Sequence, residues 1–247
     1  MKKSLIHHAG QPGRHDTKHS FIRKASCVAG ALFLLSLGNA PASPPPAQDI
    51  LANARLRVSQ QDFAVDGQLR ENGRVIPFRL TQQGPVIRYS FTNPDEALQL
   101  RLGPSDARLE EISSDGVDRI SGPEFEQKVR DTAISYEDLA LKFLYWRNAN
   151  VLGEDSVSTR RCWKLELRPP NRQSQYARVV VWCDQESGAL MKMEGQDWNG
   201  RLVRRFQVVS GQRIEGRWYL KEMRIEQLDP QSSKPVATTY LDIKKNG

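Results

Sequence analysis

Histidine is nearly missing from this chain, and its placement excludes more than its scarcity does. Four histidines occur in 247 residues, and all of them (His7, His8, His15 and His19) fall within the first 42. Those 42 residues read as a cleaved signal peptide. A basic stretch ends in Arg23-Lys24, a short apolar run extends from Val28 to Leu37, and the small-residue segment Ala40-Pro41-Ala42 follows. With the leader removed the mature chain contains no histidine, and most proton-shuttle and zinc chemistry loses its usual residue. Long hydrophobic runs are also missing. The apolar run is about ten residues where a span needs roughly 20, so no stable membrane span is expected after cleavage; a retained anchor is the alternative. No twin arginine precedes the run, which makes general secretion the default. Cys27 stands before the run instead of at the cut, so the leader does not mark an acylated lipoprotein.

Excess charge of one sign disappears with the leader. Taking its six basic residues and one acid from the 36 Lys+Arg and 29 Asp+Glu leaves 30 and 28, a net charge of +2. A pI near 9.4 for the whole chain therefore reports targeting charge, and nucleic acid is not an expected partner. No G-x-S-x-G elbow, Walker loop or metal-ligand cluster occurs. Adjacent carboxylates such as Glu110-Glu111 and Glu137-Asp138 usually form solvated faces, and Asp138 has a capping role to fill. The expectation is a protein that is not an enzyme and needs no cofactor or metal.

Cysteine is scarce as well. The mature part holds Cys162 and Cys183, in two strand-like segments around the turn-rich residues 169–176. Folding this segment symmetrically about Arg172 and Gln173 sets Cys162 opposite Cys183 and Trp163 opposite Trp182, with Leu165 facing Val180. Opposed antiparallel residues lie about 4.5–5.5 Å apart at Cα, within disulfide range. Such a bridge closes a loop worth on the order of 3 kcal/mol. A structural disulfide is expected; a redox pair or two free thiols are the alternatives, and no C-x-x-C motif supports the redox reading.

What is present is mostly short strands and turns. Residues 43–46 form a proline-rich tether, and residues 47–247 form one domain. Ala47 to Val58 is a helix with Ile50, Leu51, Ala54 and Val58 on one face. Phe63–Arg70, Val75–Gln82 and Val86–Thr92 make a meander, with a hairpin turn at Asn72-Gly73. Shorter strands follow near Ala97–Leu102 and Ala107–Ser113, then a long loop over 113–123. A second helix of about a dozen residues begins at Ser135, the N-cap of a capping-box pattern completed by Asp138. Its stripe is Leu139, Phe143 and Trp146. Further strands run over Val151–Ser158, Cys162–Arg168, Ala177–Asp184, Ala189–Gly195, Arg201–Val209, Arg217–Leu228 and Pro235–Lys244. The pattern is mainly β within an α+β class: an antiparallel sheet curling on itself, with two or three helices to one side.

Three groups of residues carry a family resemblance. They are Ser135-Tyr136-Glu137-Asp138-Leu139 running into Phe143-Leu144-Tyr145-Trp146; Val181-Trp182-Cys183-Asp184 with Gly188-Ala189-Leu190 and Met193-Glu194-Gly195; and Asn199-Gly200-Arg201-Leu202 with Phe206-Gln207-Val208-Val209, Gly216-Arg217-Trp218 and Met223. In this order, over roughly residues 46–244, the chain resembles the LolA-like outer-membrane lipoprotein-sorting family. The resemblance implies an incomplete β-barrel around helices, with an apolar cavity between them. It further implies a periplasmic carrier of lipoprotein acyl chains or related lipids, with inner- and outer-membrane lipoprotein-transfer proteins as partners.

Candidate cavity residues are Phe78, Leu80, Ile87, Tyr89 and Phe91 from the early strands, and Leu139, Phe143 and Trp146 from the helix stripe. Trp163, Val180 and Trp182 come from the hairpin face. Ordinary packed core is the competing reading of every one of them. The alternative function is an envelope lipid-sensing or scaffold module that acts through protein–protein contacts.

Overall fold

Apolar residues recurring at every second position set the strands, because successive side chains point to opposite faces of a sheet. The computed structural model describes residues 43–59, 62–214 and 217–244. The expected leader, with its histidines and Cys27, lies outside the described residues. Helix α1 (Ala47–Ser59) starts where the proline tether ends and buries Ile50, Leu51 and Ala54, the face the sequence indicates.

Thirteen strands follow among the described residues. The first six are β1 (Asp62–Glu71), β2 (Arg74–Gln83), β3 (Val86–Thr92), β4 (Asp95–Leu102), β5 (Ala107–Ser113) and β6 (Gly116–Arg119). After a helical segment come β7 (Asn148–Val157), β8 (Arg160–Arg168), β9 (Arg178–Asp184), β10 (Leu190–Gln196), β11 (Leu202–Ile214), β12 (Arg217–Leu228) and β13 (Pro235–Lys244). Each half is an antiparallel meander, and pairing of β1 with β13 joins them into one open sheet ordered from β6 through β1 and β13 to β7. Asn72 and Gly73, at φ 49° and 79°, form the tight β1–β2 turn anticipated for an Asn-Gly pair.

The helical segment connects the two edges of the sheet. It holds single 3-10 turns at Gly122–Glu126 and Val129–Asp131, the short helix α2 (Tyr136–Ala140) and a further 3-10 turn at Lys142–Tyr145. One apolar cluster draws on strands from both halves of the sheet, on this segment and on α1. A sheet whose two halves share one core must curve around it, and the fold is the mainly β, curved antiparallel architecture expected.

Three expectations need correction. The helix expected to run about a dozen residues from Ser135 ends after five, because Leu141 turns left-handed (φ 49°) and the chain resumes as a 3-10 turn. The capping box itself is present: the Asp138 N–H donates to Ser135 Oγ and the Ser135 N–H to Asp138 Oδ2. The expected long loop contains β6, whose four residues are exposed and carry no apolar alternation to read.

The third correction is the hairpin register. Cys162 pairs with Asp184, Trp163 with Cys183, and Leu165 with Val181, so the centre of symmetry falls on Gln173. A one-residue shift sends side chains to opposite faces. Cys183 enters the main core, whereas Cys162 joins a small cluster with Val157, Val180 and Trp182 on the other face. The expected disulfide is therefore absent, and both cysteines are buried free thiols. Burial pushes the Cys162 thiol up to about 11, helped by the charge of Asp184, and the Cys183 thiol up to about 12. Reactive thiols are shifted the other way.

Candidate functional site

The concave face of the sheet is apolar by alternation. Phe78 of β2 packs edge-on against Tyr89 and Phe91 of β3, with ring centroids 5.5 and 6.1 Å apart. Phe78 lies across β1 at Gly67, where an added Cβ would also come within 2.8 Å of the Asp242 carbonyl. Four of the eleven candidate residues, Phe78, Tyr89, Phe91 and Leu139, surround one small void together with Leu69, Val129, Ile134 and Leu241. Burial pushes the Tyr89 phenol up to about 12. The void measures about 10 Å³, against roughly 300–1,000 Å³ for ordinary ligand pockets. The hollow implied by the resemblance is almost filled by side chains in this conformation.

The other candidates distribute differently. Leu80, Ile87, Phe143 and Trp146 belong to the same core, and Trp163 packs half-buried against it. Val180 and Trp182 lie on the opposite face, as the shifted register requires. There Lys164 and Lys192 sit over the Trp182 ring at 5.0 and 4.2 Å, and the indole donates to Asp155. Leu69 and Leu241 are legible as alternating strand positions. Val129 and Ile134 are not, since they occupy irregular backbone.

A buried polar bracket fastens α2 to the sheet. Asp138 accepts from the Tyr176 hydroxyl, and Arg204 Nε lies 3.2 Å from both Asp138 Oδ2 and the Tyr176 oxygen. Arg204 also donates to the Ala133 carbonyl. Glu137 accepts from Ser174 Oγ at 2.6 Å and from the Gln175 N–H at 3.0 Å. Burial raises the Glu137 carboxyl despite those two hydrogen bonds, and burial followed by the charge of Asp138 pushes the Tyr176 phenol well up. The two acids expected from sequence as a solvated pair are thus inside. Gln175 and Arg204 have no apolar or spacing signal that would mark them as their partners.

An open cleft of about 620 Å³ lies beside the void. Ile76 lines the cleft, and Phe78, two positions further along the same face of β2, lines the void; Arg130 and Val129 divide likewise in the helical segment. Arg130 lines the cleft and touches a wall residue of the void. It donates to Glu96 Oε1 at 2.5 Å and to the Asn93 carbonyl, and stands 5.0 Å over the Phe91 ring. Its backbone and that of Asp131 are left-handed (φ 52° and 56°), a conformation that non-glycine residues hold only where surrounding contacts enforce it. Tyr136 lines the cleft, and burial with the charges of Glu111 and Glu96 pushes its phenol up to about 12. Among the described residues no group of three or more His, Cys, Asp or Glu side chains is placed to hold a metal ion. None of their helices is long and apolar enough to cross a membrane.

Comparison with known proteins accords with this geometry. A family model described only as that of an uncharacterized protein matches residues 113–245, more than half of the chain. No curated protein matches. Among solved structures, a DUF1329 family protein from Desulfovibrio piger is 20% identical, covering 81% of this chain and 92% of its own, with a TM-score of 0.60. A domain from Vibrio parahaemolyticus provisionally described as an outer membrane lipoprotein-sorting protein is 16% identical over 81% and 92%, with a TM-score of 0.62. A LolA superfamily protein from Nitrosomonas europaea is 20% identical over 81% and 91%, with a TM-score of 0.58. At these identities the shared property is the fold.

Proposed function

The chain belongs to the uncharacterized-protein family matched over residues 113–245 and is a divergent protein of LolA-like fold; from that premise we propose that it is an exported, periplasmic carrier that shields acyl chains of lipoproteins or related lipids. The observation carrying this reading is the apolar wall of Phe78, Tyr89 and Phe91, covered not by a second sheet but by a segment of short helical turns. Val129, Ile134 and Leu139 of that segment close the void. Carriage requires the segment to withdraw so that an acyl chain takes the place of these side chains. A chain of 14–16 carbons brings roughly 10 kcal/mol of gross burial at about 0.8 kcal/mol per CH₂, which offsets the packing that the withdrawn side chains give up. No nucleophile, metal or cofactor is needed. Residues 1–42 serve as the export signal, and inner- and outer-membrane transfer proteins load and receive the cargo.

Mass spectrometry of lipids copurifying with the exported protein, combined with titration by a fluorescent 16-carbon acyl probe, tests the reading. Saturable uptake is expected, with loss in Leu69→Trp, which crowds the void from the sheet side that remains when the segment withdraws. A folded protein that copurifies with no lipid and takes up no probe would sink it.

A further inference from the structure

The cleft beside the void contains hydrogen-bond donors that the protein itself leaves unused. The Lys128 ammonium makes no ion pair or hydrogen bond with the described residues, and neither does the Tyr136 hydroxyl or the Thr92 hydroxyl, although all three line the cleft. Arg74 reaches the cleft and spends one amine on the Arg130 carbonyl. Its remaining N–H groups are free to face a ligand. Arg130 is already matched by Glu96. On the apolar side stand Val75, Ile76 and Pro77, with Val75 about half exposed. At about 620 Å³ the cleft has the size of a small-molecule site. It also adjoins the acyl-sized wall through Ile76, which shares a face of β2 with Phe78, and through Arg130, which stands over Phe91.

We propose that this cleft binds the phosphodiester head group of an amphiphile, with Lys128, Arg74 and Tyr136 as donors to the phosphate oxygens. Charge-assisted donors of this kind favour an anionic oxygen acceptor. The carboxylates nearby set the charge of that acceptor. Glu96 and Asp131 line the cleft itself, and Glu111 and Glu124 lie close enough to act on Tyr136. The three cations Arg74, Lys128 and Arg130 thus face four acids, so recognition rests on the uncommitted N–H and O–H donors, and the surrounding carboxylates favour a monoanionic diester over a dianion such as free phosphate. Ile76, on the core face of β2 beside Phe78, receives the start of the acyl part, and Arg130 over Phe91 stands where that part would continue toward the void. The left-handed pair Arg130-Asp131 lies on the lining of the cleft. The inference deepens the carrier reading and rests on it for the identity of the amphiphile as a lipid.

Isothermal titration of the whole protein with dihexanoyl phosphatidylglycerol, below its micelle concentration, tests the cleft without any need for a deep cavity. Saturable binding is expected, weakened at least tenfold in Lys128→Gln and in Tyr136→Phe, with dihexanoylglycerol binding at least tenfold more weakly than the phospholipid. Lys128 is exposed, so its variant is expected to keep the fold, which circular dichroism checks. Equal binding of dihexanoylglycerol, or unchanged affinity in Lys128→Gln, overturns the proposal. Displacement of the phospholipid by inorganic phosphate at similar concentration also overturns it, as a simple anion site. The two readings fail separately: phospholipid binding without uptake of the 16-carbon probe removes the carrier and leaves the cleft, and the reverse outcome removes the cleft alone.

Discussion

Arg204→Met removes the guanidinium from the bracket that holds α2 while keeping most of the side-chain volume. Arg204 and Asp138 are 8% and 0% exposed at the side chain, with nitrogen and oxygen 3.2 Å apart. The variant leaves the Asp138 carboxylate buried with only the Ser135 N–H and the Tyr176 hydroxyl as donors. The Ala133 carbonyl loses its Arg204 donor as well. Breaking a buried pair from one side costs about 3–5 kcal/mol, chiefly through the charge left behind. For a domain of this size that corresponds to a fall in Tm of roughly 6–20 °C. Asp138→Asn strands the opposite charge and should lose a comparable amount. The double variant strands neither, so its loss should fall short of the sum by about 1–3 kcal/mol. Urea titrations followed by tryptophan fluorescence measure all three. A loss below about 1 kcal/mol in Arg204→Met, or additivity within about 0.5 kcal/mol, would refute the reasoning.

Other expectations follow from the same structure. Alkylation after unfolding without reductant should modify both Cys162 and Cys183, and peptide mapping that finds them crosslinked would overturn the register. Gly67→Ala forces a Cβ into the Phe78 ring and the Asp242 carbonyl, so it should destabilise by about 1–3 kcal/mol; Gly211→Ala, whose nearest neighbour atom is 3.4 Å away, should stay within about 0.5 kcal/mol. Equal losses in the two would contradict the close packing at Gly67. Burial alone would raise the Asp184 carboxyl, but hydrogen bonds from Arg160 and Ser187 outweigh it and hold it at about 2. Its stabilising contribution of about 2 kcal/mol is therefore present above the ordinary carboxylate range and lost as pH falls through about 2. The stability gap between the wild type and Asp184→Asn should accordingly narrow between pH 4 and pH 2, and a gap independent of pH would count against the depressed value.

Strand order is readable wherever one face of a strand is buried and the other is wet. β1, β2 and β3 alternate cleanly, and Asn72-Gly73 marks their first turn. β6 carries no such signal because all four of its residues are exposed. β9 reads as a strand but with the wrong register, because it is buried on both faces and alternation cannot say which residues face the core. Its turn is shaped by remote partners: Ser174 and Gln175 bond to Glu137, and the Trp198 indole donates to the Ser174 carbonyl. A symmetric fold of the segment does not include those interactions. Of the candidate cavity residues, Phe78, Tyr89 and Phe91 from β2 and β3 meet around the void, while Val180 and Trp182 go to the other face with the register.

By itself the amino-acid order determined the strand alternation, the Ser135 cap and the meander sequence, because each depends on residues within a few positions of one another. Tertiary structure alone decided that α2 stops at Leu141, that the cysteines part company, and that Glu137 and Asp138 are interior. It also decided that Lys128 and Tyr136 come to stand beside Arg74 at one cleft. These outcomes depend on packing between segments tens of residues apart, where burial and buried hydrogen bonds outweigh local preference.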